Sequence, residues 1–395
     1  MLRSALILSL AIALTSCSSS HSLVDGGTRP DDGSTPPDAV VTDSAITPDD
    51  TGVPCTLSTQ AVDLLFVVDD SRSMGEEQTS LAAQIPAIVD ALTTGHVPTG
   101  ETFDPVTDLH LGVVDTDMGT GRFLVPTCSD SGFGDDGLLR FVGDASDPAC
   151  RSTYPPFLTF PGGGDTLAQD FACVARVGTG GCGFEQPLEA GLKALTPSTS
   201  GTTFFAGSSG HGDRENGGFL RSDSVLGVFV LTDEDDCSVS DPSLFDASSA
   251  SYPGDLNLRC HDYPAALHDQ ARYADGFAAL RDNPARLVLG VVAGVPVDLV
   301  GDPRTPDFAT IQGDARMQVR VDPTDPSRFV PSCDVPGRGL AFPPVRLVGL
   351  ARTLTDRGAG AVIGSICQED LSAELSAFVG RVADARRAPS CLPTR

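Results

Sequence analysis

Five short apolar runs punctuate the chain from about residue 62 onward. They read VDLLFVV (62–68), LHLGVV (109–114), VLGVFVL (225–231), RLVLGVV (286–292) and AVIGS (361–365). Each run is nearly continuous rather than alternating, the pattern of strands covered on both faces. Between them lie helical patterns. Leu81, Ile85, Ile88 and Leu92 recur at helical spacing, with Pro86 expected to kink or shorten that helix. FEQPLEAGLKAL (184–195), ALHDQARYADGFAALRD (266–282), VRLVGLARTLTDRG (345–358) and DLSAELSAFVGRVADARR (370–387) follow the same period. Strands alternating with helices predict an α/β fold, a mainly parallel sheet with helices on both faces. Gly/Pro/Ser-rich intervals at about 119–165, 197–222, 238–262 and 294–342 interrupt it and hold most of the cysteines. They read as disulfide-pinned loops on one domain, spanning residues 55–391.

The segments before that domain have other textures. MLRSALILSLAIALTSC (1–17) has one early cation, an apolar stretch too short to span a bilayer comfortably, and small residues, as a signal peptide does. Its LTSC end resembles the lipobox of bacterial lipoproteins. That resemblance makes Cys17 the site of lipidation and the new N-terminus, with Ser18 favouring the outer membrane. Residues 18–54 are Ser, Thr, Asp, Pro and Gly with scarcely an aromatic, an extended acidic tether rather than a fold. The expected location is therefore exported and lipid-anchored, at an outer membrane or cell surface.

Export bears on the cysteines. Setting Cys17 aside leaves an even set: Cys55, Cys128, Cys150, Cys173, Cys182, Cys237, Cys260, Cys333, Cys367 and Cys391. In an exported chain these read as disulfides. Spacing does not fix connectivity; Cys173–Cys182, Cys237–Cys260 and Cys55 with a C-terminal cysteine are the plausible pairings. No CxxC pair occurs, which argues against zinc ribbons and thioredoxin chemistry. With 53 acidic against 26 basic residues the net charge is −27, which disfavours nucleic acid and anionic lipid as partners and favours cations. Membrane contact is expected only through the N-terminal lipid.

The first apolar run ends in VVDDSRSM (67–74). In an open parallel sheet, ligands bind beyond the carboxyl ends of the strands, where this stretch would lie. Asp69, Ser71 and Ser73 form D-x-S-x-S, which can turn one carboxylate and two hydroxyls toward a common point, while Asp70 and Arg72 face elsewhere. An oxygen-only set suits Mg²⁺, Mn²⁺ or Ca²⁺, with Mg²⁺ the first expectation. Ser73 has a local explanation too, since Ser73-x-x-Glu76 spells a capping box. A second oxygen cluster, Thr232 to Asp236, follows another buried run. Two such strand ends point to one shared divalent site. Asp235 and Asp236 are expected to be outer-shell or solvated, while Asp115 and Asp117 read as ordinary loop residues that could join the acidic rim.

On these motifs, the chain from about residue 62 to 387 resembles a von Willebrand factor type A domain with a metal-ion-dependent adhesion site. The resemblance implies a doubly wound, Rossmann-like sheet with one antiparallel edge strand. It implies Asp69, Ser71 and Ser73 as metal ligands, completed by Asp233 from the TD turn, with one position open to an acidic group of a protein or surface polymer. One departure stands out. The loop before the middle helix, GTGGCGFEQPLEAGLKAL, has no threonine directly before the helix. Glu185 is the replacement read first, with Gln186 and Thr179 as alternatives. A glutamate there would favour cation retention and weaken the appetite for an acidic ligand.

Other motifs carry less. Gly178, Gly180 and Gly183 spell GxGxxG, but the preceding TLAQDFACVARV (166–177) reads as helix, not the strand a dinucleotide site needs. The six histidines show no HExxH, and GSSGHGD (207–213) lacks the spacing of a nucleophile elbow. Cys260-His261 near Cys237 reads as a disulfide rather than zinc. No nucleophile–base–orienter set is visible, so an enzyme is not the first expectation. The reading is divalent-cation-dependent binding of a protein or polymer, against a metal-dependent hydrolase of cell-surface material or a lipoprotein in which the metal only staples the fold.

Overall fold

A computed structural model describes residues 55–128, 132–163, 166–336 and 340–392, all within one compact unit. The signal peptide, Cys17 and the tether lie outside the described residues. The apolar runs form β1 (Ala61–Val68), β2 (Asp108–Asp115), β4 (Val225–Leu231), β5 (Leu287–Ala293) and β6 (Gly360–Ser365), with β3 a three-residue strand at Leu158–Phe160. The main helices are α1 (Gly75–Thr94), α2 (Leu167–Ala175), α3 (Pro187–Leu195), α4 (Gln270–Ala278), α5 (Val345–Asp356) and α6 (Ser372–Ala385).

The six strands form one sheet in the order β6-β5-β4-β1-β2-β3. All neighbouring pairs are parallel except β2 with β3 at the edge. Strand order reverses between β1 and β4, so the crevice at their carboxyl ends is the topological switch point.

Successive side chains of β1 go to opposite layers. Val62, Leu64, Phe66 and Val68 join α1, α2 and α6 in one core, where Leu81, Ile85, Phe171 and Phe378 are buried. Leu65 and Val67 join α3, α4 and α5 in the other, with Leu192, Phe277 and Leu350. This two-sided burial is why the strands read as continuous apolar runs. Two glycines let α6 approach the sheet. A Cβ on Gly227 would lie 2.8 Å from Phe378 Cζ, and one on Gly290 would lie 2.9 Å from Phe378 Cδ2.

Pro86 neither shortens nor ends α1, which runs through it for 20 residues. Pro86 is on the exposed side while Leu81, Ile85, Ile88 and Leu92 are buried, so packing carries the helix past the lost hydrogen bond.

Five disulfides pin the loops: Cys55–Cys391, Cys128–Cys182, Cys150–Cys173, Cys237–Cys260 and Cys333–Cys367. Two of the expected pairings are present, and Cys173–Cys182 is not. Cys173 belongs to α2, where its carbonyl accepts from Asp144 N–H at 3.1 Å and the loop around Cys150 packs against it. Cys182 lies beyond the helix, beside the strand of loop where Thr127 O accepts from Gly183 N–H. Five disulfides are the cysteine usage of an extracytoplasmic protein. No helix among the described residues is long and apolar enough to cross a membrane.

Candidate metal centre

Parallel pairing places Val68 of β1 opposite Leu231 of β4, so Asp69 and Thr232 leave the sheet side by side. Asp69 N–H donates to Leu231 O at 3.0 Å, fusing the two turns. Thr232 Oγ1 donates to Asp69 Oδ2 at 2.6 Å, and Ser71 N–H donates to Asp69 Oδ1 at 2.7 Å. Asp233 N–H donates to the same carboxylate. The Ser71 and Ser73 hydroxyls are 3.1 Å apart, and Ser73 also bonds the Asp233 carboxylate. Asp69, Ser71, Ser73 and Asp233 therefore face one another at the switch point. Asp69 and Asp233 are buried, and Asp233 Oδ1 has no hydrogen-bond partner.

The capping box is not used. A short 3-10 turn, Arg72–Met74, precedes α1, and neither Ser71 nor Met74, the residues before the two helical segments, caps with its side chain. Ser73 lies inside that turn, so its hydroxyl is left for Asp233 and Ser71.

Further carboxylates crowd the same crevice. Glu185 and Glu77 are buried, and each has an Oε2 without a partner. Glu185 bonds Glu234 and feels the charges of Glu234, Asp69 and Asp233. Burial first, then these like charges, holds Asp233 and Glu185 well above the ordinary carboxylate range. Burial also raises Asp69, against the lowering effect of its hydrogen bonds, and burial with the Asp69 charge pushes Glu234 up to about 7. An assembly of this kind needs protons or a cation, and hard oxygen donors match Mg²⁺, Mn²⁺ or Ca²⁺.

The three candidates for the missing threonine are placed differently. Gln186 is committed to the backbone: its Nε2 donates to Gly119 O at 3.1 Å and its Oε1 accepts from Val239 N–H at 3.2 Å. Thr179 is exposed, its methyl group facing Gly75 at the start of α1. Glu185 alone of the three adds a buried carboxylate beside Asp69 and Asp233. Pro187 opens α3 at its first position, as its fixed φ favours. Gln78 of α1 bonds Gly178 O and Gly178 N–H, so the glycine-rich loop is fastened to the D-x-S-x-S turn.

Asp235 is half-buried at the cleft and Asp236 is buried, and both are hydrogen-bonded to α3 and α5 rather than left to solvent alone. Asp235 accepts from Arg346 N–H at the start of α5 at 2.9 Å, and Asp236 accepts from Arg346 Nε at 3.0 Å and Leu188 N–H at 3.1 Å. They tie α5 and α3 to the β4 turn. Asp117, which the sequence left between a loop and a rim residue, is buried, and its Oδ1 accepts from Gly119 N–H.

A second acidic group lies on the other side of the β1 turn. Asp70, Asp115 and Asp135 each offer an oxygen within 4.8 Å of the others, a set that can hold a metal ion. Asp70 is pushed up to about 8 by burial and by the charges of Asp117, Asp69 and Asp135. Asp115 ends β2 and Asp70 follows the end of neighbouring β1 by two residues, turned away from the Asp69 partners as the sequence implies. Asp135 carried no signal, since its loop has no period and acidic loops are common in this chain.

A cleft of about 1110 Å³ opens onto the centre, lined by Ser71, Ser73, Glu185 and Glu234 on one side and by Phe329 and Phe342 of the 294–342 interval on the other. His261 meets Phe329 edge to face at 5.4 Å between ring centroids, and neighbouring Cys260 is taken by its disulfide. The GxGxxG glycines follow α2 rather than a strand, which removes the dinucleotide context. Against known proteins, no family model and no curated sequence matches this chain.

Proposed function

We propose that this is an exported, lipid-anchored bacterial protein displaying a von Willebrand type A-like domain, which binds a protein or surface polymer through a divalent cation. Asp69, Ser71, Ser73 and Asp233 would hold the ion, with Glu185 and Glu234 balancing its charge from behind. The single observation that carries the reading is the convergence of two distant strand ends on one buried, carboxylate-rich point, with Asp233 Oδ1 lacking any donor. Hydroxyl donors leave a bound ion more electrophilic than a cage of carboxylates alone, so an outside carboxylate is attracted to it. The cleft beside the centre offers room for the segment bearing that carboxylate. Lipid at Cys17 and the acidic tether would hold the domain clear of the membrane.

The test is binding of the purified domain to surface material from its own cells. Binding should need Mg²⁺, be released by chelator, and fail for Asp69→Ala and for material whose carboxyl groups have been amidated. Binding that survives chelator and amidation contradicts the proposal.

A further inference from the structure

The second acidic group is built, not incidental. Asp115 is the last residue of β2 and pairs in register with Val68 of β1, which places it beside Asp69-Asp70. Asp135 comes from a segment fastened to the same strand end: Asp135 and Asp136 N–H both donate to Asp117 O, at 2.9 and 3.3 Å, and Arg140 N–H donates to Val113 O at 2.8 Å. Gly181 closes over Asp70, where even a Cβ would come within 2.1 Å of Asp70 Oδ2.

The donors are nonetheless left short. Asp115 is 1% exposed; Arg140 Nη1 takes its Oδ2 at 2.8 Å, its Oδ1 receives no N–H or hydroxyl donor, and its carboxyl lies against that of Asp135. Asp70 is 4% exposed, and the hydroxyl of Thr116 reaches it only at 3.5 Å. Arg140 also lies 3.5 Å from Asp135. Asp70, Asp115 and Asp135, with the Asp117 charge nearby, face one guanidinium, and a divalent ion would offset the charge these carboxyls carry when ionised. A buried carboxylate oxygen without a donor is costly, and a cation at the meeting point of the three groups removes that cost.

We propose that Asp70, Asp115 and Asp135 bind a second hard divalent cation, which clips the 132–140 segment to the ends of β1 and β2. The ligand set is oxygen only, and Asp135, with its side chain 56% exposed, leaves one side of the site open to water. That mixture of carboxylates and water suits Ca²⁺, whose shell of six to eight oxygens tolerates irregular geometry. This site is independent of the Asp69–Asp233 assignment and differs from it in having no serine in the set.

The experiment is equilibrium dialysis of the full-length, oxidised protein against Ca²⁺ alone, comparing wild type with Asp69→Asn, Asp135→Asn and Asp115→Asn. Asp135 is exposed, so its replacement spares the fold; circular dichroism checks the Asp115 variant. The expected result is that Asp69→Asn still binds one Ca²⁺, and that adding Asp135→Asn weakens this ion at least tenfold. The proposal is overturned if Asp135→Asn and Asp115→Asn, both folded, bind Ca²⁺ as wild type does, in which case the buried carboxyls hold protons instead. Failure of the first centre looks different: Asp69→Asn would match wild type while Asp135→Asn loses its ion.

Discussion

Asp69 and Asp70 are adjacent, yet strand geometry sends them to different neighbours. Asp69 turns to Thr232, Ser71 and Asp233, while Asp70 turns to Asp115 and Asp135. Both live where charge is expensive, and this fixes a pH dependence. Asp70 titrates at about 8 in the folded state against an ordinary 3.8, because burial and then the Asp117, Asp69 and Asp135 charges oppose ionisation. Glu234 titrates at about 7 against 4.5 for similar reasons. Raised folded values mean that the native state holds more protons than the unfolded chain between these limits. Stability of the chelated protein should therefore fall as pH rises from about 4 to about 8. On the proposed reading a cation takes the place of those protons, so its stabilising effect should grow over the same window. Denaturation midpoints at about pH 5 and pH 8, with chelator and with Mg²⁺, check both slopes. Chelated protein that becomes more stable toward pH 8 contradicts the ionisation scheme.

At the scale of elements, the centre depends on β1 and β4 being neighbours, and that depends on close packing beneath them. Gly227 is pressed between Leu64 and Phe378, at 2.6 and 2.8 Å from where its Cβ would be. Gly227→Ala should cost about 1–3 kcal/mol by overpacking, read as a shift in denaturant midpoint, with cation affinity unchanged because the centre lies past the strand end. An unshifted midpoint would mean that α6 yields easily there. The same packing explains what the sequence revealed. Strands buried on both faces announce themselves, so the five long ones were legible to within a residue or two. β3 was not, being three residues at a sheet edge inside a glycine-rich interval. Pro86 misled because its local effect was outweighed by the buried stripe around it. The Asp69–Asp233 pairing was legible because both motifs end buried strands. Asp135 was not, because only tertiary contact brings it to Asp70. The disulfide exchange between Cys173 and Cys182 was equally invisible, since each partner comes from a loop tens of residues away.

At the scale of the molecule, the disulfides and the acidic surface fit an extracytoplasmic life, and the Cys55–Cys391 bridge closes the domain by joining residues 336 apart in sequence. Such a closed scaffold should keep its fold when the cation is removed, which lets the centre be examined in the intact protein. The most direct measurement is thermal unfolding of wild type, Asp69→Ala and Asp233→Ala under oxidising conditions, with and without Mg²⁺. At a hundredfold excess over Kd, a single site stabilises by about 2.7 kcal/mol. The wild type should gain on that order, and both variants should lose the same part of the gain, as the proposal that the two turns share one ion requires. An equal gain in all three proteins would show that Asp69 and Asp233 do not hold it.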